Sequence, residues 1–211
     1  MDIYSLPRQA LLRRVVLGVG VWLGLSVLVL TQGSALLAWT LPFQSALIEA
    51  LQPNHVAILT ITEEGSLPVI QLSPLTIHDR QLSPRHWVPA QTRLPILKTD
   101  VGHALVPFVV LMTVLISWPA AKPRELMFRG LAAVPCAIVM LALTSPVLLA
   151  GRLEILLIDA AATVGVTLQQ SFLVTLTLFM EIGGRWLIAM VAAIACILLG
   201  ARLGRRHAAG H

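Results

Sequence analysis

The chain has 211 residues, of which 57% are hydrophobic and 12% are charged, and its formal net charge is +5. Soluble domains are typically about 45–50% apolar and about 25% charged, so a soluble globular fold could not bury this much apolar surface. Together with a mean hydropathy of +0.85, the composition predicts an integral membrane protein and excludes a soluble globular one.

Four apolar blocks could each form a transmembrane helix, which requires about 20 residues. They are residues 14–41, 101–118, 127–150 and 172–199. No small-residue cleavage pattern follows the first block, so we interpret it as a retained anchor and not as a removed signal peptide. Because the blocks lack the strict alternation of a membrane barrel, we expect an α-helical membrane protein with about four spans.

The segment between the first two blocks is the only one large enough to form a small domain. Residues 42–51 have apolar side chains at helical spacing, which predicts an amphipathic surface helix. Residues 55–62 and 67–72 alternate and flank the glycine-containing stretch 63–66, which predicts a β-hairpin. Because its core is so small, we expect the segment to be stabilised by packing against the helices or a partner.

The stretch between the third and fourth blocks is ambiguous. Residues 154–170 are apolar but include Glu154 and Asp159. We interpret them as an interfacial or re-entrant helix, with a further span as the alternative left open.

Basic residues predict the orientation of the helices. Nine of them form three clusters on one side of a four-helix topology: Arg8, Arg13 and Arg14; Lys122, Arg124 and Arg129; Arg202, Arg205 and Arg206. The positive-inside rule then places both termini in the cytoplasm of a bacterial cell, with the protein in the inner membrane. The positive charge is explained by topology and anionic lipid, and we expect no nucleic-acid partner.

The predicted organisation has five parts. They are a cytoplasmic N-terminus with the first span (1–41), an extracytoplasmic helix and hairpin domain (42–100), the second and third spans (101–150), an extracytoplasmic interfacial segment (151–171), and the last span with a basic cytoplasmic tail (172–211).

Both cysteines, Cys136 and Cys196, fall inside predicted spans. We interpret them as small apolar packing residues. The alternative makes Cys136 a nucleophile, with His103 as its base and Arg129 or Arg185 as electrostatic support. Depth argues against this catalytic set, because His103 begins the second span near the outer face whereas Cys136 lies mid-span.

Glu181 and Arg185 are the most unusual ionisable pair, since they lie one helical turn apart in MEIGGRW near the outer end of the last span. We expect an ion pair there, and a role in a pathway, an active site or a partner contact stays open. Gly183 and Gly184 would allow close helix approach or a helix break.

Small residues form a stripe on the last helix that includes Ala189, Ala193 and Gly200. Such stripes let membrane helices approach closely, so these three residues are candidates for packing within the chain or against another protein. The histidines of the outer segment, His55, His78 and His86, do not have the spacing of compact zinc ligand pairs, and nucleotide and hydrolase motifs are absent. We therefore predict neither metal nor cofactor.

The order of parts resembles the small multi-pass membrane proteins associated with exosortase systems, in particular the exosortase H-associated family. The resemblance covers a basic N-terminus, one span, the helical exit ALIEAL, a hairpin, the approach LPILKTDVGHALVPFVVLMTV, and two more spans around an interfacial stretch. That family has an asparagine-proline-leucine type entry to the second span, whereas this chain has Lys98, Thr99 and Asp100 there. Exosortases themselves use a membrane Cys with Arg and His in a small-residue motif that residues 134–137 do not reproduce, so peptidase activity is not carried over.

We therefore expect a non-enzymatic accessory or scaffold subunit of a bacterial inner-membrane assembly for envelope protein sorting or export. Its partners would be the lipid bilayer and another membrane protein. One alternative is an intramembrane cysteine peptidase or transferase of exosortase type. The other is a small transporter with a polar cavity that includes Glu181 and Arg185.

Overall fold

The computed structural model describes residues 8–83, 86–120 and 122–206. Its helices and strands in chain order are α1 (Arg8–Ala38), α2 (Leu41–Leu51), β1 (His55–Glu64), β2 (Leu67–Thr76), β3 (Arg80–Ser83), β4 (His86–Val88), β5 (Leu97–Asp100), α3 (Val101–Ser117), α4 (Pro123–Thr163), α5 (Phe172–Phe179), a π-helical turn (Met180–Gly184) and α6 (Arg185–Arg206).

Three helical stretches in the described ranges are long and apolar enough to cross a membrane: Leu11–Ala38, Pro123–Thr163 and Phe172–Arg205. Helix α3 is a shorter apolar helix of 17 residues, about 25 Å long against a hydrocarbon core of about 30 Å. The prediction of a helical membrane protein with a small sheet is confirmed in this coarse form. The count of four spans and their direction stay predictions.

The predicted hairpin is present and is longer than expected. Strands β1 and β2 pair along ten residues each, from His55 opposite Thr76 to Glu64 opposite Leu67. Gly65 has a φ of 67° in the two-residue turn, a conformation that glycine adopts without a steric penalty. Strand β5 pairs with the other side of β2, which gives a three-stranded antiparallel sheet in the order β1-β2-β5.

One face of this sheet is buried and the other is open. His55 and Ala57 of β1 and Ile70 and Leu72 of β2 lie on the buried face. This agrees with the alternation of side chains along a strand, which places every second residue on the same face. Helix α2 lies against β1.

Helix α2 matches the predicted amphipathic helix in extent, but its buried face differs from the expected apolar one. The buried side chains are Gln44 and Ile48, whereas Phe43 is exposed. Polar partners explain the burial of Gln44, because its amide nitrogen donates to the Thr40 hydroxyl at 2.7 Å and to the Leu141 carbonyl at 3.2 Å.

We expected a break between the third apolar block and a separate interfacial element, but the helix is continuous there. Helix α4 continues through Gly151 and Arg152 to Thr163, and residues 164–171 are then non-helical. Two contacts are made within this continuous stretch: the Thr177 side chain packs where a Cβ at Gly151 would lie, and the Arg152 charge is paired with Glu181.

The apolar stretch Phe172–Arg205 is interrupted in its first third. The π-helical turn separates α5 from α6, and Gly183 within it has φ 129° and ψ 0°, outside helical geometry. The glycine pair in the sequence allowed such a break, because only glycine adopts this backbone conformation readily.

The chain forms two compact units. The helical unit contains Met1–Gln32, Leu105–Met140 and Trp186–His211, and the sheet unit contains Gly33–Ala104 and Leu141–Arg185. The core of the helical unit is built from branched side chains and small residues of α3, α4 and α6, namely Val110, Leu111, Leu115, Ala133, Met140, Ala189, Ala193, Cys196 and Ile197.

Candidate functional site

A cluster of ionisable side chains lies in the sheet unit. The Arg152 guanidinium contacts one carboxylate oxygen of Glu181 through Nε at 2.9 Å and through Nη2 at 2.8 Å. Its Nη1 donates to the Lys98 carbonyl at 2.7 Å. Nearby, Arg185 is only 4% exposed and its Nη1 donates to the His103 carbonyl at 3.2 Å. The cluster ties helix starts and strand ends together through charge-assisted hydrogen bonds.

The prediction that Glu181 forms an ion pair with Arg185 is therefore wrong. Among the described residues, the ion pair of Glu181 is with Arg152. The π-helical turn and the non-helical Gly183 lie between Glu181 and Arg185, and they remove the regular α-helical spacing that would put both on one face. Arg152 was not a candidate from the sequence, although an arginine inside an apolar run was the available signal.

The cysteines lie in the helical unit and contact each other. Cys196 Sγ is 3.6 Å from Cys136 Sγ, and both are free thiols. No histidine occurs in the described residues of this unit, so His103 belongs to the sheet unit and not to the unit that holds Cys136. The sequence placed both cysteines in spans but did not bring them together.

The stripe of small residues on α6 packs inside the helical unit. Ala189 and Ala193 are completely buried. A Cβ at Gly200 would lie 3.0 Å from the Glu125 carbonyl oxygen and 3.1 Å from Arg129 Cβ, which shows how closely α4 approaches. Of the two roles left open by the sequence, the structure has packing within the chain.

Arg129 is a buried charge. Its position in the sequence predicted a place in the cytoplasmic basic cluster, or support for Cys136 in the catalytic alternative. Arg129 is 1% exposed. Its Nη1 donates to the carbonyls of Leu115 (3.3 Å) and Trp118 (2.7 Å), and its Nη2 donates to the Pro119 carbonyl (3.1 Å) and the Glu125 carboxylate (2.7 Å). The guanidinium thus satisfies carbonyls at and just beyond the C-terminal end of α3, where a helix dipole favours a cation.

Strand β1 leaves one edge of the three-stranded sheet unpaired by any strand in the described part of the chain. The Ala57 N–H points to this edge, because it donates to the Glu49 carboxylate at 3.1 Å. Backbone groups alternate in direction along an antiparallel strand, so the N–H groups of Leu59, Ile61 and Glu63 also point outward. This row of donors and acceptors can pair with another extended chain.

A groove of about 910 Å³ is formed by β1, β2 and residues 91–96. Its lining includes Ile58, Ser73, Leu75, Arg93 and Ile96. Ile58 and Ile96 are exposed apolar side chains, 51% and 55% accessible. The groove therefore offers apolar contacts and one cation.

In the described ranges, no group of three or more His, Cys, Asp or Glu side chains could hold a metal ion. Comparison of the chain with protein-family models, curated proteins and solved structures finds no match.

Proposed function

We propose that this protein is an accessory or scaffold subunit of a bacterial inner-membrane assembly for envelope protein sorting or export. Its apolar helices anchor it, and the sheet unit docks an extended segment of a partner protein. The observation that carries the proposal is the open edge of β1, since an unpaired strand edge can accept a further strand from another chain.

The groove lined by Ile58 of β1 supplies specificity in this proposal. An added strand forms main-chain hydrogen bonds with outward groups of β1, and its alternate side chains enter pockets on one face of the sheet. Ile58 and Ile96 would contact apolar side chains of the partner, and Arg93 would favour an acidic group. The expected partner segment is extended, apolar at alternate positions and carries a carboxylate.

Charge sets the proposed orientation. Arg124 and Lys122 precede or begin α4, and Arg202 and Arg205 end α6, so the positive-inside rule puts these ends in the cytoplasm and the sheet outside it. A reporter fused after Arg206 should be active only in the cytoplasm. An active reporter on the outer side would contradict the orientation.

Co-purification of the tagged, full-length protein from native membranes in mild detergent tests the docking. Ile58→Lys places a charge at the groove, and we expect it to abolish recovery of the partner. Leu67→Lys is the matched control, because Leu67 is exposed to a similar degree, 54% against 51%, but lies at the hairpin turn. Equal recovery with both variants would refute docking at this groove.

A second pair of variants separates the strand edge from the side chains. Glu63→Pro and Glu63→Ala both remove the exposed carboxylate, but only proline removes the outward N–H. We expect Glu63→Pro alone to reduce partner recovery, with the protein still extracted and monodisperse. The same loss with Glu63→Ala would assign the effect to the side chain and contradict strand addition.

A further inference from the structure

The two thiols of the helical unit are placed for a reaction that the docking proposal does not use. Their sulfur atoms are 3.6 Å apart, and a disulfide bond is about 2.05 Å long. Cys136 lies on α4 and Cys196 on α6. An approach of about 1.5 Å, within reach of side-chain rotation, would join them.

Small neighbours hold the two helices close at this point. Ala133 on α4 and Ala189 and Ala193 on α6 belong to the same buried cluster as Cys196. Small residues at a helix interface let the backbones approach, which brings short side chains such as cysteine into contact. The contact between the two sulfur atoms is therefore a consequence of the close packing of α4 and α6.

The accessibility of the two sulfurs differs. Cys196 is 2% exposed, whereas Cys136 is half-buried beside the exposed side chains Val134, Ile138 and Val139. Cys196 is 11 residues from Arg185 and 10 from Arg206, so it lies about 15 Å from either end of α6. An oxidant that dissolves in lipid reaches Cys136 directly, while a polar one must leave water.

We propose that Cys136 and Cys196 form a redox-active dithiol that a lipid-soluble quinone oxidises to a disulfide. The Cys136 sulfur adds to the quinone and forms a C–S bond. The Cys196 sulfur then attacks the Cys136 sulfur, so the S–S bond forms and the C–S bond breaks with its electron pair passing to the ring. Both thiol protons end on the product, so one dithiol and one quinone give one disulfide and one hydroquinone.

The disulfide would join α4 to α6 covalently within the helical unit. A cross-link between positions 136 and 196 restricts the unfolded chain more than the folded one, so oxidation should raise the temperature of unfolding. Oxidation would thus rigidify the helices by which the protein is held in the membrane.

The test uses the full chain, reduced and reconstituted in lipid nanodiscs, and decylubiquinone as the probe. After incubation the sample is acid-quenched, denatured and treated with N-ethylmaleimide, and its intact mass is measured. Without quinone we expect two maleimide additions, one for each cysteine. With quinone we expect none, a mass lower by two hydrogen atoms, one hydroquinone per chain, and recovery of both additions after reduction.

Two single variants distinguish the roles of the sulfurs. Cys196→Ser should stop at the quinone adduct of Cys136, visible as a mass increase, because no second thiol displaces it. Cys136→Ser should form neither adduct nor disulfide, because Cys196 is buried.

Two results would overturn the proposal. One is retention of both maleimide additions in the quinone-treated protein. The other is disulfide formation at the same rate with glutathione disulfide, a polar oxidant, which would remove the lipid route. A slower reaction with glutathione disulfide than with decylubiquinone is the expected outcome.

Discussion

Two arginine–glutamate pairs, one in each unit, have nearly the same length and very different surroundings. In the helical unit Arg129 and Glu125 are 2.7 Å apart with side chains 1% and 13% exposed. In the sheet unit Arg152 and Glu181 are 2.8 Å apart with side chains 37% and 36% exposed. Distance alone would rank the two pairs as equal, so the comparison isolates the effect of burial.

Burial changes what is lost when one partner is removed. An exposed pair contributes little because the surroundings solvate and screen each charge. A buried charge is not solvated in this way, so the loss of one partner of a buried pair is much more costly. Arg129 also serves three carbonyls around the end of α3, so it joins two helices and not only two charges.

The largest expected effect comes from Arg129→Ala. It should reduce the free energy of unfolding by about 3–5 kcal/mol, because it removes one partner of a buried ion pair and the donor to the carbonyls at the end of α3. Unfolding of the detergent-solubilised protein in a titration with sodium dodecyl sulfate measures the change. Arg124→Ala is the control, since Arg124 is exposed on the same helix.

Arg129→Lys sharpens the result. Lysine keeps the charge but lacks the planar fork that reaches several acceptors at once, so it should recover only part of the loss. Full recovery by lysine would mean that charge, and not the geometry of the carbonyl contacts, stabilises this site.

The second prediction concerns the close approach of α6 to α4. Gly200→Leu should cost about 3 kcal/mol, because even a Cβ there would contact Glu125 and Arg129 at 3.0 to 3.1 Å. Gly20→Leu on α1 is the matched control, since no atom lies within 4 Å of its built Cβ. Comparable loss in both variants, measured by the same detergent titration, would contradict the packing argument.

The third prediction concerns the helix break. Gly183→Ala should cost about 1–2 kcal/mol, because φ 129° is strained for a residue with a Cβ although the space around it is open. Gly102→Ala tests the background effect, since Gly102 lies in α3 and also has open space around it. A neutral or stabilising Gly183→Ala would show that the break can straighten without cost.

Hydropathy and alternation predicted the elements of this fold well, because each depends on residues close in sequence. The apolar blocks correspond to α1, α3, α4 and the α5-to-α6 stretch, and the alternating segments correspond to β1 and β2. The continuation of α4 past Gly151 was not predicted, and neither were the contacts of Gly151 and Arg152 with Thr177 and Glu181, which are distant in the chain.

The ionisable residues show the same limit more sharply. Glu181 and Arg185 were found because charges in an apolar run are conspicuous, but the partner of Glu181 is Arg152, 29 residues away. Arg129 was assigned to a cytoplasmic basic cluster because Lys122 and Arg124 precede it closely in the sequence. Arg129 is buried against the carbonyls at the end of α3, and the local sequence does not indicate these contacts. Likewise, the two cysteines are 60 positions apart, and only the packing of α4 on α6 brings them together.

The smallest expected effect completes the comparison of the two pairs. Arg152→Ala should change the free energy of unfolding by less than about 1 kcal/mol, and the change should shrink as salt is added, because both side chains are about one-third exposed. A double-mutant cycle of Arg152→Ala with Glu181→Gln measures the coupling, and the same cycle at Arg129 and Glu125 provides the buried reference. Equal coupling at the two sites would mean that the sheet-unit pair lies in a low-dielectric environment despite its exposure, as it would if lipid or a docked partner covers it.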